Sequence, residues 1–351
     1  MNARIHRLAQ PEWRGLAAGF RDHGYRQLWA FAEACASRAG ATHEAVVVCD
    51  GDTVAGLAAV RVKRVPMLGA GIAYVNGGPL VRKGDAGDRE RLRVCLKALQ
   101  DEYVARRGLL LRVSLPLGPP AWNVAQETAF VDAGFVLTSD LRRYRTFVLD
   151  LDRTRDEIAR GFTQRWRRSL KRANAAGLQV VVGDSHTHFA RFLDLYTTLL
   201  ERKRFTADLA ADFYARVQAQ LENGERFQIL LALKNGEPVS GLVLSLLGDT
   251  GVFLLAASNE TGMACSASFL VQWEALAFLQ HRDMKSYDLG GIDPDENPGV
   301  YEFKRGLGGV DITAPGPFEV LPRRLAGAVI SAAEGVYRRL RALRRRAGRL
   351  T

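Results

Sequence analysis

The stretch "LLALKNGEPVSGLVLSLL", residues 230–247, decides the fold because its plan occurs twice in the chain. An apolar run is followed by a turn that contains a glycine, then by small residues and a second apolar run. The stretch "AVVVCDGDTVAGLAAVRV", residues 45–62, has the same plan. Two apolar runs joined by a short glycine-containing turn predict a β-hairpin. Its repetition predicts an internal duplication and two similar α/β domains.

Helical segments surround both hairpins. In the first half, residues 27–40 and 88–108 have helical spacing and end on glycines, as helices commonly do. The second half repeats this order, with helical segments at 188–203 and 209–223. We therefore predict domains over 1–150 and 151–320, followed by a basic helix over 321–351.

The net charge is concentrated at the end of the chain. The protein has 351 residues and a formal charge of +11, and residues 323–351 contain nine arginines and one glutamate. A basic chain favours an acidic partner such as nucleic acid, a nucleotide or an anionic membrane. The alternative is an arginine-rich surface without a specific partner.

The cysteines and apolar segments indicate a cytoplasmic protein without a metal site. The four cysteines are far apart and form no C-x-x-C pair, so neither a disulfide framework nor a zinc site is expected. The first residues do not have the pattern of a secretion signal. The apolar segment 239–258 is long enough to suggest a membrane span, but "GDTG" at its centre predicts two hairpin strands instead.

The stretch "RWRRSLKRANAAG" is the first candidate site. It contains five basic residues and no acid between positions 165 and 172. At helical spacing Arg165, Arg168 and Arg172 share one face. Such a face is often only solvated, but without compensating acids its charges repel one another, and a phosphate-bearing polyanion would relieve that repulsion.

The segment 258–280 is the second candidate site. Residues Asn259–Ala264 follow a strand and open a helix, which resembles the pyrophosphate loop of acyl-CoA N-acetyltransferases. Asn259 stands where those enzymes favour a basic residue or glutamine. Ser266 and Ser268 can be read simply as helix caps.

The stretch "VYEFKRGLGG", residues 300–309, is the third candidate site. Pro298 and Gly306 predict a short helix over 299–305. Its apolar face, made by Val300, Phe303 and Leu307, should pack inward, with Lys304 beside it in the last turn. Lys304 can be read as a cation that complements the helix C-terminus. The glycines form no phosphate-binding P-loop, because no G-K-[ST] follows them.

Taken in order, these stretches resemble the Fem-type aminoacyltransferases. The motifs that carry the resemblance are "RWRRSLKRANAAG", the hairpin at 230–247, "QWE", "YDLGGI" and "YEFKRGLGG", and they span most of residues 155–310. The first half matches only loosely, through "GIAYVNGGPLV". The chain departs from the family pattern at Leu289 and Leu307, where aromatic residues are usual, so the acceptor pocket is expected to differ.

The resemblance implies two tandem GNAT-like domains, with a C-terminal helix that packs back on the first. It implies transfer of an amino acid from aminoacyl-tRNA, as co-substrate, to an amine of a peptidoglycan precursor, with no metal or other cofactor. Lys304 matches the family's essential lysine, which we expect to stabilise an oxyanion. Phe303 matches the neighbouring aromatic residue that lines the site for the tRNA end.

Further residues are assigned to substrate binding. Arg165 and Arg167 match basic positions of the family, and their phosphate-binding role is a hypothesis from charge. Arg204 is a weaker candidate of the same kind, and Tyr301 is assigned beside the catalytic pair. The sequence identifies no general base, since Asp288 is better explained as ordering its turn.

Three functions stay open at this point. The first is the tRNA-dependent transferase, acting as a monomer. The second is an acyl-CoA-dependent N-acyltransferase that uses Asn259–Ala264. The third is a non-catalytic factor in envelope or exopolysaccharide assembly. The arginine-rich tail allows contact with the tRNA backbone or with the inner face of the cytoplasmic membrane.

Overall fold

The computed structural model describes residues 3–65, 70–138, 141–203 and 211–322. Arg204 and the predicted C-terminal helix beyond Pro322 lie outside these ranges. No helix in the described part of the chain combines the length and the apolarity needed to cross a membrane.

Helices and strands are interspersed along the chain. The elements up to residue 137 are β1 (Ala3–Arg7), α1 (Gln10–Ala17), α2 (Trp29–Ala39), β2 (Thr42–Asp50), β3 (Thr53–Arg64), β4 (Gly71–Asn76), α3 (Asp88–Leu99), β5 (Leu110–Ser114), α4 (Pro120–Asp132) and β6 (Val136–Leu137). A π-helical segment, Gln100–Arg106, continues α3.

The elements from residue 145 onward are β7 (Arg145–Asp150), α5 (Arg155–Arg160), α6 (Gln164–Asn174), β8 (Gln179–Gly183), α7 (His186–Lys203), α8 (Ala211–Gln218), β9 (Gln228–Lys234), β10 (Glu237–Leu247), β11 (Thr250–Ser258), α9 (Glu260–Ala264), α10 (Ala267–His281), β12 (Ser286–Asp288), α11 (Pro298–Arg305), β13 (Val310–Thr313) and β14 (Phe318–Val320).

The chain forms two compact units. The first contains the described residues up to Asp22, Arg26–Arg143 and the described residues from Pro315 on, and the second contains His23–Tyr25 and Tyr144–Ala314. The strand Arg145–Asp150 therefore belongs to the second unit, and the late strand Phe318–Val320 to the first. These limits differ from the expected boundaries of 150 and 320, because hydrophobic patterning shows that a segment is a strand but not which sheet it joins.

Each unit contains a seven-stranded sheet, and the two sheets have the same topology. The strand orders are β1-β2-β3-β4-β5-β14-β6 and β8-β9-β10-β11-β12-β7-β13. In both sheets, the fourth and fifth strands of that order, β4–β5 and β11–β12, pair in parallel, and all other neighbours pair antiparallel. Two units with one topology agree with the duplication that the hairpins predicted.

The two hairpins carry glycines at matching positions. Gly51 and Gly236 lie in the turns with φ of +60° and +84°, a left-handed conformation that favours glycine. Gly56 and Gly241, five residues later in each copy, face close neighbours. A Cβ on Gly56 would lie 2.5 Å from the carbonyl oxygen of Leu80, and one on Gly241 would lie 2.8 Å from the Phe192 ring. The small residues of both motifs therefore permit close packing against the sheet.

In the first unit, helices cover the two faces of the sheet separately. Residues of α1 and α2 pack with Ala45, Val47, Leu57 and Ala59. Residues of α3 and α4 pack with the alternate positions of the same strands, among them Val46, Val48, Ala58 and Val60. Successive side chains of a strand point to opposite faces, so each central strand is buried on both sides.

The Gly56→Ala substitution should destabilise the first unit. The added methyl group meets a backbone oxygen that cannot move away easily, so we expect the free energy of unfolding to fall by about 1–3 kcal/mol. Gly15 in α1 is the matched control, since a Cβ there meets nothing within 4 Å. Gly15→Ala should leave stability unchanged or raise it by up to about 1 kcal/mol. Urea denaturation measures both, and equal effects would contradict this account.

Candidate functional site

Lys304 lies on the short helix α11, and its side chain is buried. Pro298 stands in the first turn, where its missing N–H costs nothing, and Gly306 follows the last helical residue. The prediction of a helix over 299–305 is therefore confirmed. Lys304 lies in the last turn, as expected, but its side chain is only 5% exposed, whereas a cation that complements the helix C-terminus was expected to project from the helix end.

Two carbonyl oxygens hold the Lys304 ammonium. Its Nζ atom donates to the oxygen of Gly290 at 3.1 Å and to that of Gly291 at 3.0 Å. The same Nζ lies 4.7 Å from the centre of the Phe253 ring on β11, a cation–π arrangement. These partners replace water around the charge, which explains why a lysine can be buried here.

Gly290 has a backbone conformation that only glycine adopts easily. Its φ is +76°, and a Cβ at this position would lie 2.6 Å from the oxygen of Phe253 and 3.4 Å from Lys304 Nζ. The "GG" of "YDLGGI" thus allows the chain to turn after β12 and to point two successive carbonyls at one cation.

Asp288, the last residue of β12, anchors this turn. Its Oδ1 accepts a hydrogen bond from the Gly290 amide at 2.8 Å. The Tyr144 hydroxyl donates to both carboxylate oxygens at 3.0 Å. Thr146 Oγ1 lies 2.6 Å from Asp288 Oδ1 and 2.9 Å from the Gly290 oxygen. The interpretation of Asp288 as a residue that orders the turn is confirmed.

Burial and charge act in opposite directions on the Lys304 amine. Desolvation lowers the pKa of Lys304 to about 8, and the Asp288 carboxylate partly opposes this shift. At neutral pH the amine therefore remains mainly protonated while its proton is held more weakly than that of an exposed lysine. Such a group can donate a strong hydrogen bond to a developing negative charge.

The rest of α11 is less deeply buried than the sequence suggested. Leu307 is buried as expected, but Val300 and Phe303 are only partly buried. The Phe303 ring packs against Phe269 and Trp166, with centroid separations of 5.0 and 6.3 Å. Tyr301 packs against Phe147 at 5.5 Å. Phe303 and Tyr301 therefore lie in aromatic contacts on the same helix as Lys304.

Helix α6 begins where α11 ends. The Thr163 amide, at the N-cap of α6, donates to the Gly306 oxygen at 3.0 Å. A Cβ on Gly306 would lie 2.8 Å from the Trp166 ring, so the two helices meet at this glycine. Arg165 and Arg167 lie in the first turn of α6 and are exposed. They are thus placed close to the C-terminal end of the Lys304 helix.

The basic face of α6 points to solvent. Its five cations are all exposed, while Trp166 and Ala173 bury the opposite side. Within the described ranges none of them pairs with a carboxylate, and Arg167 Nη1 makes only a long 3.5 Å contact to the Arg160 oxygen. A cationic surface without acidic partners is the expected form of a phosphate-binding face.

The Asn259–Ala264 loop is internally satisfied. Asn259 Oδ1 accepts from the Gly262 amide at 2.9 Å and so caps the five-residue helix α9. A Cβ on Gly262 would lie 2.0 Å from the Val239 oxygen. The Gly262 N–H is already used by a side chain of the loop itself, so it does not point freely at an anion.

The sequence of the protein is similar to those of known transferases. Residues 160–305 match the acetyltransferase (GNAT) domain family. A lipid II:glycine glycyltransferase of Staphylococcus haemolyticus is 24% identical, over 74% of this chain and 79% of that protein. One from Staphylococcus epidermidis is 21% identical, with the same coverage. The chain is homologous to these Fem-like transferases.

Two solved structures have a similar fold. The crystal structure of FemX superposes with a TM-score of 0.75 at 17% identity, covering 91% of this chain and 97% of FemX. A conserved protein of unknown function from Bacteroides thetaiotaomicron superposes with a TM-score of 0.56 at 14% identity, covering 90% and 97%. The predicted Fem-type resemblance and the tandem GNAT-like fold are both confirmed.

Sequence reasoning missed three residues around Lys304. Tyr144 immediately precedes β7, Thr146 is the second residue of that strand, and Phe253 lies in β11. The only sequence signal for Thr146 was a polar residue in an apolar strand. Nothing local indicates a partner more than 140 residues later, because strand pairing alone brings β7 beside β12.

Replacing Asp288 should shift the titration of Lys304. In Asp288→Asn the anion that favours the ammonium is lost, so the pKa of Lys304 should fall below about 8. NMR titration of ¹³C-labelled lysine measures this value, with Lys304→Met assigning the signal.

Asp293→Asn is the matched control for that titration. Asp293 lies in the next turn, where its Oδ1 accepts from the amides of Asp295 and Glu296, so the pKa of Lys304 should not change. An unchanged value in Asp288→Asn as well would show that the carboxylate does not act on the lysine.

Proposed function

We propose that this protein transfers an amino acid from aminoacyl-tRNA to an amine of a peptidoglycan precursor, with Lys304 stabilising the tetrahedral oxyanion. The observation that carries the proposal is the buried Lys304 ammonium, held by the Gly290 and Gly291 carbonyls, in a chain homologous to lipid II:glycine glycyltransferases. Those relatives are named for glycyl transfer to lipid II, which supports a lipid-linked peptide as the acceptor.

The reaction requires alignment and charge stabilisation more than strong acid or base. The acceptor amine attacks the ester carbonyl, a C–N bond forms, and negative charge develops on the carbonyl oxygen. When the intermediate collapses, the C–O bond to the tRNA ribose breaks, the ribose oxygen takes a proton, and the amine nitrogen loses one. A single preorganised donor to the oxyanion typically accounts for about 3 kcal/mol of barrier lowering.

The surroundings of Lys304 suit this role. An ammonium has three N–H groups, and the Gly290 and Gly291 carbonyls accept two of them. The Phe253 ring is a weaker partner than an oxyanion, so the third N–H can turn to the substrate. Because the site is shielded from water, the charge interacts more strongly with the oxyanion than it would at the surface.

The basic face of α6 supplies a binding surface for the donor. Its first turn lies beside the end of α11, and its arginines are exposed and without acidic partners in the described part of the protein. A tRNA acceptor end whose phosphates follow α6 would bring its esterified terminus toward α11. The half-buried Phe303, between these helices, offers a ring on which a terminal base can stack.

The proposal is tested by incubating the protein with a mixed pool of charged tRNA and candidate acceptors that include lipid II. Mass spectrometry should find one aminoacyl residue added to an acceptor amine. Transfer from acetyl-CoA in place of tRNA would favour the GNAT acyltransferase function, against which the internally capped Asn259 loop argues. No transfer from either donor would favour a non-catalytic role in envelope assembly.

Lys304→Met should reduce transfer by about 100- to 1000-fold, the usual effect of losing one oxyanion donor. The fold should persist, because the variant no longer buries a charge. The pKa of Lys304 falls on folding, so the cost of burying its ammonium is fully present below about pH 8 and shrinks as the pH rises toward 10.5. Single-turnover rates and thermal unfolding measure the two effects.

Arg305→Met is the matched control for this substitution. Arg305 is the next residue of α11, but it is exposed and pairs with Glu302. Its loss should leave transfer nearly unchanged. Full turnover in Lys304→Met, or equal losses in both variants, would exclude the oxyanion role.

The combined substitution of Arg165, Arg168 and Arg172 by glutamine should weaken tRNA binding. Each lost phosphate contact should reduce the slope of log affinity against log salt concentration by about one. Arg216→Gln is the control, since Arg216 is also exposed but pairs with Asp212. Fluorescence anisotropy over a salt series measures the slopes, and an unchanged slope in the triple variant would refute binding along α6.

A further inference from the structure

Polar side chains form a row across the sheet of the first unit. Strand pairing places Arg61 on β3 opposite Tyr74 on β4, Tyr74 opposite Arg112 on β5, and Arg112 opposite Glu319 on β14. Four neighbouring strands thus contribute one polar residue each at the same level. Directly opposed side chains of neighbouring strands are close enough to interact, so the row is one continuous surface.

This row lies on the sheet face that carries α1 and α2. The alternate residues Ala73, Val75, Leu111 and Val113 belong to the core under α3 and α4, so the row must point the other way. Helices α1 and α2 pack over β2 and β3. Sheet positions beneath helices are normally apolar, but this row is polar. Three of its members are partly exposed, namely Arg61, Tyr74 and Glu319.

Specific contacts organise the row. The Arg61 guanidinium lies 4.8 Å from the centre of the Tyr74 ring, and the Tyr74 hydroxyl lies 3.1 Å from Ser114 Oγ. Arg112 is buried and forms an ion pair with Glu319. The tyrosine and serine hydroxyls can each act as donor or acceptor. The row therefore offers a cation and two adjustable hydroxyls beside a fixed ion pair.

The charges in the row do not balance. Glu319 neutralises Arg112, whereas Arg61 has no carboxylate partner among the residues that the structure describes. Burial raises the pKa of the Cys35 thiol on α2, while Arg61, Arg38 and Arg26 nearby oppose that rise. Several guanidinium groups therefore surround this part of the sheet, and their field favours an anion.

The row lies at the sheet position that corresponds, in the other copy of the fold, to the surroundings of Lys304. Tyr74 and Ser114 stand near the carboxyl ends of the parallel strands β4 and β5. In the second unit, the parallel pairing of β11 with β12 ends at Val252 and Asp288, and Asp288 and the next residue of β11, Phe253, lie beside Lys304. Ligands of α/β sheets commonly bind outside the carboxyl ends of parallel strands. The first unit thus has its own polar cluster at the edge where the second holds its lysine.

We propose that Arg61, Tyr74 and Ser114, supported by the Arg112–Glu319 pair, form a carboxylate-binding site for the acidic end of the acceptor peptide. The identification of the ligand as an acceptor peptide rests on the proposed function. One unpaired guanidinium matches one negative charge, and a planar carboxylate can accept two parallel N–H bonds from it. One of the two hydroxyls then donates to a remaining lone pair of the carboxylate, while the proton of the other keeps the Tyr74–Ser114 hydrogen bond.

Direct binding tests the site without any transfer reaction. The probe is an N-acetylated, lysine-containing tripeptide with a free C-terminal carboxylate, compared with the same peptide as its C-terminal amide. Calorimetric titration of the full chain should show binding of the acid at least tenfold tighter than that of the amide. Arg61→Met should remove this preference, since it deletes the charge-assisted bonds.

Two further variants test whether the binding preference depends on this particular site. Arg64→Met is the matched control, because Arg64 is exposed on the same strand but points to the opposite face; it should bind the acid as the unsubstituted protein does. In the double variant Arg112→Gln with Glu319→Gln, both members of the buried pair become neutral together, so the sheet should fold while affinity for the acid falls at least threefold. Circular dichroism checks the fold.

The outcomes separate this site from the transferase proposal. Lys304→Met should retain the preference for the acid, because Lys304 belongs to the other unit. Failure of aminoacyl transfer together with an Arg61-dependent preference would leave the carboxylate site standing and overturn the transferase function. Equal binding of acid and amide, or an undiminished preference in Arg61→Met, would overturn the site. If transfer occurs, Arg61→Met should raise KM for the acidic acceptor and leave kcat unchanged.

Discussion

The buried charge of Lys304 constrains the structure of the second unit. An ammonium removed from water is tolerated only when hydrogen-bond acceptors replace the water. Here the acceptors are two successive backbone carbonyls, which can point at one atom only if the chain turns through a left-handed residue. Gly290 provides that turn, and Asp288 holds it through the Gly290 amide. One hydrogen-bonded group therefore joins the lysine, the two glycines and the aspartate.

The two copies of the fold share the glycines of their hairpins but differ in the origin of one strand. The turn glycines Gly51 and Gly236 and the packing glycines Gly56 and Gly241 occupy equivalent positions, because each hairpin must turn and pack in the same way. The sixth strand of each sheet is different. In the second unit it is β7, which begins that unit's main segment, and in the first unit it is β14, which follows the second unit along the chain. The first unit is thus completed by a strand from outside its main continuous segment, whereas the strands of the second sheet all lie within Tyr144–Ala314.

Local patterns predicted the hairpins, the helices and α11, since each depends on residues close together in sequence. Burial of Lys304 could not be predicted in this way. The apolar residues of α11 indicated an inward face without it, and the carbonyls that stabilise its charge belong to a turn more than ten residues earlier. Tyr144 and Thr146 were missed for the same reason. The row from Arg61 to Glu319 requires the register of four strands, one of them near the end of the described chain, which no local pattern contains.

The two units carry different charged groups where the parallel pairing of their sheets ends, and the electrostatics of these groups suit different roles. A lysine that burial has brought to a pKa of about 8 interacts strongly with charge that appears during a reaction, because little water screens it. A partly exposed arginine is always protonated and gains most from a planar anion that is present throughout. Lysine in the second unit therefore suits stabilisation of a transient oxyanion, and arginine in the first suits retention of a stable carboxylate.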